Sequence, residues 1–427
     1  MLGVLIPLLL IFFTCLLIWR ACDGFEVASE YLGRNMSEGV RGATINAISS
    51  SIPEMLTTLI ALFILTDTDG FAVGIGTTAG SALFNGMIIP AVCILAVVGT
   101  VVLGKKVTSV DVSAKVILRD GLCLIAAELV LILLLNGTEL HWWHGLILMA
   151  VYFAYVTYML LSMKSVKGST DGVEEELDED DEPTGPIGKF FYWLSLGPTL
   201  DLEDHFVKER HRELIKAEKW NAWPLLLAST GVIAGACWLL VKACEWLGTG
   251  PSNLSHPTYS FLGFEGLSGL NMPALFVAVI FASMATSVPD TIISMRDAKD
   301  GDYDDAVANA LGSNIFDICF ALGFPLFLFT IINGSIEMSE TIAEQSAQLR
   351  LLLLFFTIAG FFVYFVGKRK VQNGITTIPL GKPRAFVLLA IYAAFATYII
   401  ALGAQAGWAV SISDALGTML EIIPGIG

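Results

Sequence analysis

The residues best able to do chemistry in this chain come in two sets that read nearly alike. Ser50-Ser51-Ile52-Pro53-Glu54 is followed by Gly80-Ser81-Ala82-Leu83-Phe84-Asn85. Thr286-Ser287-Val288-Pro289-Asp290 is followed by Gly312-Ser313-Asn314-Ile315-Phe316-Asp317. Each set places a carboxylate directly after a proline in an apolar segment. Each then places a hydroxyl, with an amide or a second carboxylate, on the next apolar segment. Residues four apart share a helix face, so Ser50 lies over Glu54, Thr286 over Asp290, Ser81 over Asn85 and Ser313 over Asp317. Ser51 and Ser287, three positions before the acids, flank the same face. Four helices turning these oxygens to one point would make the all-oxygen ligand set that hard cations require.

The elements that must position these residues follow from composition. The chain has 427 residues, is 55% hydrophobic and 15% charged, with mean hydropathy +0.72, which is the profile of a polytopic membrane protein. A hydrocarbon core of about 30 Å needs about 20 apolar helical residues. On that rule ten spans fall near 3–31, 40–65, 71–100, 113–135, 142–163, 224–247, 271–295, 303–332, 350–367 and 385–404. Arg20-Ala21-Cys22-Asp23 in the first span is echoed by Lys242-Ala243-Cys244-Glu245 in the sixth. Five spans per half is an odd number, so the second half enters the membrane in the opposite sense. The expected fold is an all-α polytopic membrane protein: two inverted five-helix repeats with broken helices at a midplane ion site. The halves are residues 1–163 and 224–427, joined by a loop at 164–223.

Residues 2–19 read as a first membrane helix, because no small-residue cleavage site follows them. Lysines and arginines fall on one side if the amino terminus lies outside, with Arg350 the clear exception. Net charge −16 argues against nucleic acid as a partner. The seven cysteines form no CxxC pair and read as small packing residues. The central loop opens with an acidic run between Asp171 and Glu182. It reads as a solvated linker, with a calcium-attracting segment as the alternative. Residues 201–220 are expected to form a helix on the inner membrane surface.

Pro53 and Pro289 cannot donate to the carbonyls of Ser49 and Ala285, which are thereby freed inside the membrane for a cation to satisfy. Gly80 and Gly312 permit a kink or close packing at the facing helix. Glu54, Asp290 and Asp317 supply up to three negative charges, and Asn85 none. One calcium ion or several sodium ions would balance most of that charge, and mutually exclusive occupancy is exchange. Protons are a third candidate. A lone Ser-x-Pro-acid could be a structural kink, and Ser81 or Ser313 alone a packing residue; the duplication favours a site. Glu128 has no repeat partner and is equally readable as structural or functional. Asp297, Asp300, Asp302, Asp304 and Asp305 read as a solvated turn, with an ion vestibule as the alternative.

The paired motifs resemble the alpha repeats of the calcium/cation antiporter superfamily, specifically the sodium/calcium exchangers, over residues 39–99 and 276–330. Ser287-Val288-Pro289-Asp290 and Gly312-Ser313-Asn314-Ile315-Phe316-Asp317 look most like the potassium-dependent exchangers. The resemblance implies a secondary active antiporter that exchanges sodium for calcium by alternating access. It implies Glu54 and Asp290 as central calcium ligands shared with sodium, and hydroxyl or carbonyl ligands from Ser50, Ser51, Thr286 and Ser287. Ser81, Asn85, Ser313 and Asp317 would complete the sodium sites, with carbonyls near Ala47 and Ser283 as further ligands. The first and sixth helices would slide across the rest. Potassium stays open, because an aspartate at Asp317 occurs with and without potassium coupling. Asp290 is shorter than the glutamate of many exchangers, and Ser50 stands where threonine is often found.

On this basis no catalytic residue, enzyme activity or cofactor is expected. The partners are calcium and sodium ions and the lipid bilayer, with no obligate protein partner. The expected location is the plasma (inner) membrane, with the central loop cytoplasmic. A calcium/proton antiporter is the nearest alternative, although Gly-Asn-x-x-Glu is absent. An intramembrane aspartyl protease using Asp290 and Asp317 is a remote one, since Tyr-Asp and Gly-x-Gly-Asp are absent. A passive channel would need no counter-ion.

Overall fold

The computed structural model describes residues 1–34, 45, 47–65, 68–162, 185–251, 257–372 and 375–422. The acidic run 171–182 and the start of the first repeat, 39–44, lie outside the described residues. The first half holds α1 (Leu2–Gly33), α2 (Ala47–Leu65), α3 (Thr68–Val97), α4 (Ala114–Leu134) and α5 (Trp142–Ser162). Short helices α6 (Gly185–Leu194), α7 (Gly197–Leu200), α8 (Leu202–Phe206) and α9 (Glu209–Lys216) follow. The second half holds α10 (Trp223–Gly248), α11 (Ala274–Thr286), α12 (Val288–Asp300), α13 (Tyr303–Asn333), α14 (Glu340–Phe365), α15 (Lys382–Gly403) and α16 (Gly407–Leu420).

Helix occupies each expected span where residues are described. Among the described residues eight helices are long and apolar enough to cross a membrane, and nine if the bent pair α11–α12 is one span. The fourth expected span, α4, is a helix that carries Lys115, Arg119, Asp120 and Glu128. Arg119 neutralises Asp120 through two hydrogen bonds of 2.6 and 2.8 Å. α16 lies beyond the last expected span and packs on α14 and α15. Its 14 residues are too few to give a spanning signal.

Between lipid-facing helices there is little hydrophobic drive, so close approach of small residues carries the packing. α3 is the centre of the bundle, touching α2, α11, α12, α13, α14 and α15. Gly76 and Gly80, one turn apart on α3, make this possible. A Cβ on Gly76 would stand 2.6 Å from the Leu275 carbonyl, and one on Gly80 would collide with the Val279 carbonyl and Ser283. Facing them, residues Ala278–Ala282 form a π-helical turn. A second π turn at Asp317–Ala321 interrupts α13. Such single turns shift side chains by one position and gather at functional sites.

Two small sheets tie the halves together. Val110–Ser113 pairs antiparallel with Ile375–Leu380, and Glu139–Leu140 with Ile336–Glu337, at opposite ends of α4. The one basic residue that broke the charge asymmetry, Arg350, is buried. It donates to the Leu135 carbonyl at 2.6 Å and to Ser346, satisfying the end of α4.

The helix expected over 201–220 is instead two short ones, with Val207 and Lys208 extended between them. The break lets Leu202, Val207 and Ile215 all bury against Val27, Ala28 and Tyr31 of α1. An ion pair of 3.5 Å between Arg20 and Asp201 and a hydrogen bond of 2.8 Å from the Trp220 N–H to the Tyr31 hydroxyl fix these helices to α1.

Replacing Gly80 with Ala should lower the thermal unfolding midpoint in detergent, equivalent to roughly 1–3 kcal/mol of overpacking. Gly231→Ala, where a Cβ meets nothing within 4 Å, should leave the midpoint unchanged or raise it. Equal midpoints for wild type and Gly80→Ala would show that the α3 contact is loose.

Candidate functional site

The two motif sets meet. Ser50, Ser51 and Glu54 come from α2, Ser81 and Asn85 from α3, Ser283, Thr286, Ser287 and Asp290 from the α11–α12 bend, and Ser313 and Asp317 from α13. Every one of these side chains is fully buried, as is Ala47. The bend arises where Pro289 enters the second position of α12. Ser287 leaves helical geometry at φ −82° and ψ 5°, and the two helices meet at 43°. The first copy differs: α2 runs through Pro53 without a break. The expectation of broken helices therefore holds for one copy of the motif.

Ser81 is the hub. Its hydroxyl lies 3.1 Å from Glu54 Oε1, 3.0 Å from Asp317 Oδ2 and 2.8 Å from the Ser287 hydroxyl. Asn85 Nδ2 lies 3.0 Å from Asp290 Oδ2, 3.2 Å from the Ser313 hydroxyl and 3.3 Å from Ser81. Contacts also cross reciprocally: Thr286 adjoins Glu54, and Ser50 adjoins Asp290. Ser51 adjoins Asp317. The carbonyls expected to serve as ligands are engaged by hydroxyls of their own helices. Ser50 donates to Ala47 at 3.3 Å, and Thr286 to Ser283 at 3.2 Å.

Counting protons gives the site its character. A serine hydroxyl carries one donor and a primary amide two, whereas each ionised carboxylate only accepts. Ser81 has one proton for two carboxylates, and Asn85 has two for three acceptors. One oxygen of each acid has no hydrogen-bond partner: Glu54 Oε2, Asp290 Oδ1 and Asp317 Oδ1. Asn85 Oδ1 is orphaned as well. No lysine or arginine among the described residues balances the three carboxylates. Nor do three acidic, imidazole or thiol groups among those residues close on one point as in a resident metal centre. The acids are spaced by hydroxyls and an amide, the weaker oxygen ligands that suit an exchangeable hard cation.

Sequence reasoning missed Asn314. It is buried, donates to the Ala82 carbonyl at 2.8 Å and keeps an unpartnered Oδ1. The signal was the repeat alignment itself, since Asn314 stands where the first copy has Ala82. Glu128 lies apart from the site. It accepts from Thr357 at 2.6 Å, and its other oxygen has no hydrogen-bond partner. Of the five aspartates read as a solvated turn, Asp304 is committed to the Ser113 backbone N–H at 2.6 Å.

The family model described as "Sodium/calcium exchanger protein" matches residues 6–161 and 222–401. The human protein named sodium/potassium/calcium exchanger 5 is 25% identical over 384 residues, covering 78% of this chain and 72% of its own. Human sodium/potassium/calcium exchanger 3 is 36% identical over 143 residues, covering 32% of this chain and 20% of its own. The crystal structure of an H+/Ca2+ exchanger, CAX, superposes with TM-score 0.54 at 11% identity, covering 97% of this chain and 92% of that one. At that identity the likeness concerns the fold.

Ser81→Ala removes the shared donor and leaves Glu54 Oε1 and Asp317 Oδ2 both short of partners. In ion-free buffer the unfolding midpoint should fall, equivalent to about 1–3 kcal/mol. An unchanged midpoint in differential scanning calorimetry would show that Ser81 is not the hub.

Proposed function

The chain belongs to the sodium/calcium exchanger protein family, and we propose that it carries sodium against calcium through the buried site as a secondary active antiporter. It is an integral membrane protein by its apolar helices and its family. The observation that carries the proposal is three buried carboxylates that no lysine or arginine among the described residues balances, each with one oxygen that has no hydrogen-bond partner. A charge left unpaired at this depth is costly. A cation supplies what the fold omits, and the ion is substrate rather than resident cofactor.

Calcium takes the unpartnered oxygens of Glu54 and Asp290, one from each motif set. Sodium ions divide the same oxygens with Ser50, Ser51, Ser81, Asn85, Thr286, Ser287, Ser313 and Asp317, and with carbonyls near Ala47 and Ser283. Because Glu54 and Asp290 serve both, the ions exclude each other. Near-neutral loading by either ion lets the protein rearrange, whereas the bare carboxylates hold it back.

The reciprocal contacts between Thr286 and Glu54 and between Ser50 and Asp290 support two inverted five-span repeats, residues 1–163 and 224–427. Their joining loop, 164–223, is assigned to the cytoplasm of a plasma-membrane protein with its amino terminus outside. The first and sixth spans, α1 and α10, pack along their length, which suits a pair that moves as one. Potassium is proposed as a co-transported ion through Asp317. The names of the similar sodium/potassium/calcium exchangers support that assignment.

The test is radioactive calcium uptake into proteoliposomes loaded with sodium, with external potassium and pH varied separately. Uptake should require the outward sodium gradient, vanish in Glu54→Ala and Asp290→Ala, and lose its potassium dependence in Asp317→Asn. Uptake driven equally by a proton gradient, or surviving in either alanine variant, would overturn the reading.

A further inference from the structure

A second feature of the molecule lies away from the ion site. Between α14 and α15, on the lipid-facing side, runs a groove of about 460 Å³. Phe355, Phe356 and Ala359 line one wall, and Val387, Ile391 and Ala394 the other. Val387, Ile391 and Ala394 form one stripe of α15, and one turn earlier the same stripe begins with Arg384. That arginine stands between the groove and the hairpin that connects the two helices. Its guanidinium donates at 2.9 Å to the carbonyls of both Tyr364 and Val366. A side chain at Gly367, whose φ is +143°, would collide with it.

Around this mouth the charge of the protein inverts. The chain carries −16 overall, yet no acid occurs between Glu344 and Asp414, whereas Lys368, Arg369, Lys370, Lys382 and Arg384 do. Lys370 is spent on Asp111 at 3.0 Å. Lys368, Arg369 and Lys382 are exposed, and Arg369 lies over the Phe365 ring, 4.8 Å from its centroid. Lys382 reaches the neighbouring hairpin, its Nζ standing 3.5 Å from where a Cβ on Gly99 would lie. That hairpin presents the exposed Lys105 and Lys106. Along α15 the groove therefore runs from Val387 through Arg384 toward Lys382, five residues earlier, and toward exposed cations drawn from two separate loops.

We propose that the α14–α15 groove binds an anionic phospholipid, with an acyl chain along the groove and the phosphate over Lys368, Arg369 and Lys382. The groove lies within membrane-spanning helices, so hydrocarbon is what it meets. The cations select the headgroup, as basic pockets between membrane helices do. A second copy of the chain is disfavoured as occupant, because a two-fold contact through this mouth would set cations against cations.

The experiment is native mass spectrometry of the intact protein from micelles holding equal phosphatidylglycerol and phosphatidylcholine with identical chains. Wild type should retain phosphatidylglycerol over phosphatidylcholine by about tenfold, the preference expected when several cations meet one anionic headgroup. Lys368→Gln/Arg369→Gln/Lys382→Gln should keep lipid but lose the preference. Ala359→Phe/Ala394→Phe should fill the groove and lose both lipids. Soluble glycerol phosphate in excess should not displace the lipid. Equal retention of the two lipids by wild type, or wild-type preference in both variants, overturns the proposal. So does displacement by glycerol phosphate, which would assign the cations to a free anion. A wild-type dimer that dissociates in the groove-filled variant would assign the groove to a second copy and equally overturn it.

Discussion

Three buried carboxylates with no lysine or arginine beside them among the described residues are the constraint on which the rest of this molecule turns. Glu54, Asp290 and Asp317 sit at zero exposure, and each keeps one oxygen without a hydrogen-bond partner. Ser81 and Asn85 are each shared among more acceptors than they have hydrogens. In a soluble protein water could make up the difference; on the proposed function a cation does. On the proposed function, stability and transport pull on the same atoms, because the oxygens left unpaired by the fold are those assigned to the transported ion.

The scaffold holds that unfavourable arrangement by committing everything around it. Gly76 and Gly80 bring α3 against α11 backbone to backbone. π-helical turns at Ala278–Ala282 and Asp317–Ala321 re-aim the facing side chains. Pairing of Val110–Ser113 with Ile375–Leu380, and of Glu139–Leu140 with Ile336–Glu337, clasps one half to the other at both ends of α4. The two motif copies are not equal in this frame. Pro289 bends its helix by 43°, whereas α2 passes through Pro53 unbroken. Charge is unequal too, with Asn85 opposite the position that Asp317 fills in the second copy. The second copy supplies both the bend and the additional carboxylate.

Much of the site was legible because a duplicated motif leaves its spacing in the sequence. The pairs at four-residue separation, from Ser50 and Glu54 to Ser313 and Asp317, converge in the structure as helix geometry requires. Less was legible where tertiary packing decides. The π turns carry no local sequence signature, and the hub role of Ser81 depends on helices more than 200 residues apart in the chain. Arg350 reads in the sequence as the exception to the charge asymmetry, and the structure buries it against the end of α4. Residues 201–220 looked like one surface helix, but Leu202, Val207 and Ile215 bury together only if the helix breaks. Asn314 differs from its repeat partner Ala82, and that difference marks a buried amide that ties α13 to the Ala82 carbonyl of α3.

The most direct test of the account is equilibrium binding of radioactive calcium to the purified protein at rising sodium, with ionic strength held constant by a large organic cation. Shared oxygens predict that sodium displaces calcium competitively and steeply, with more than one sodium ion per calcium released. Bound calcium that does not respond to sodium would contradict the shared cage.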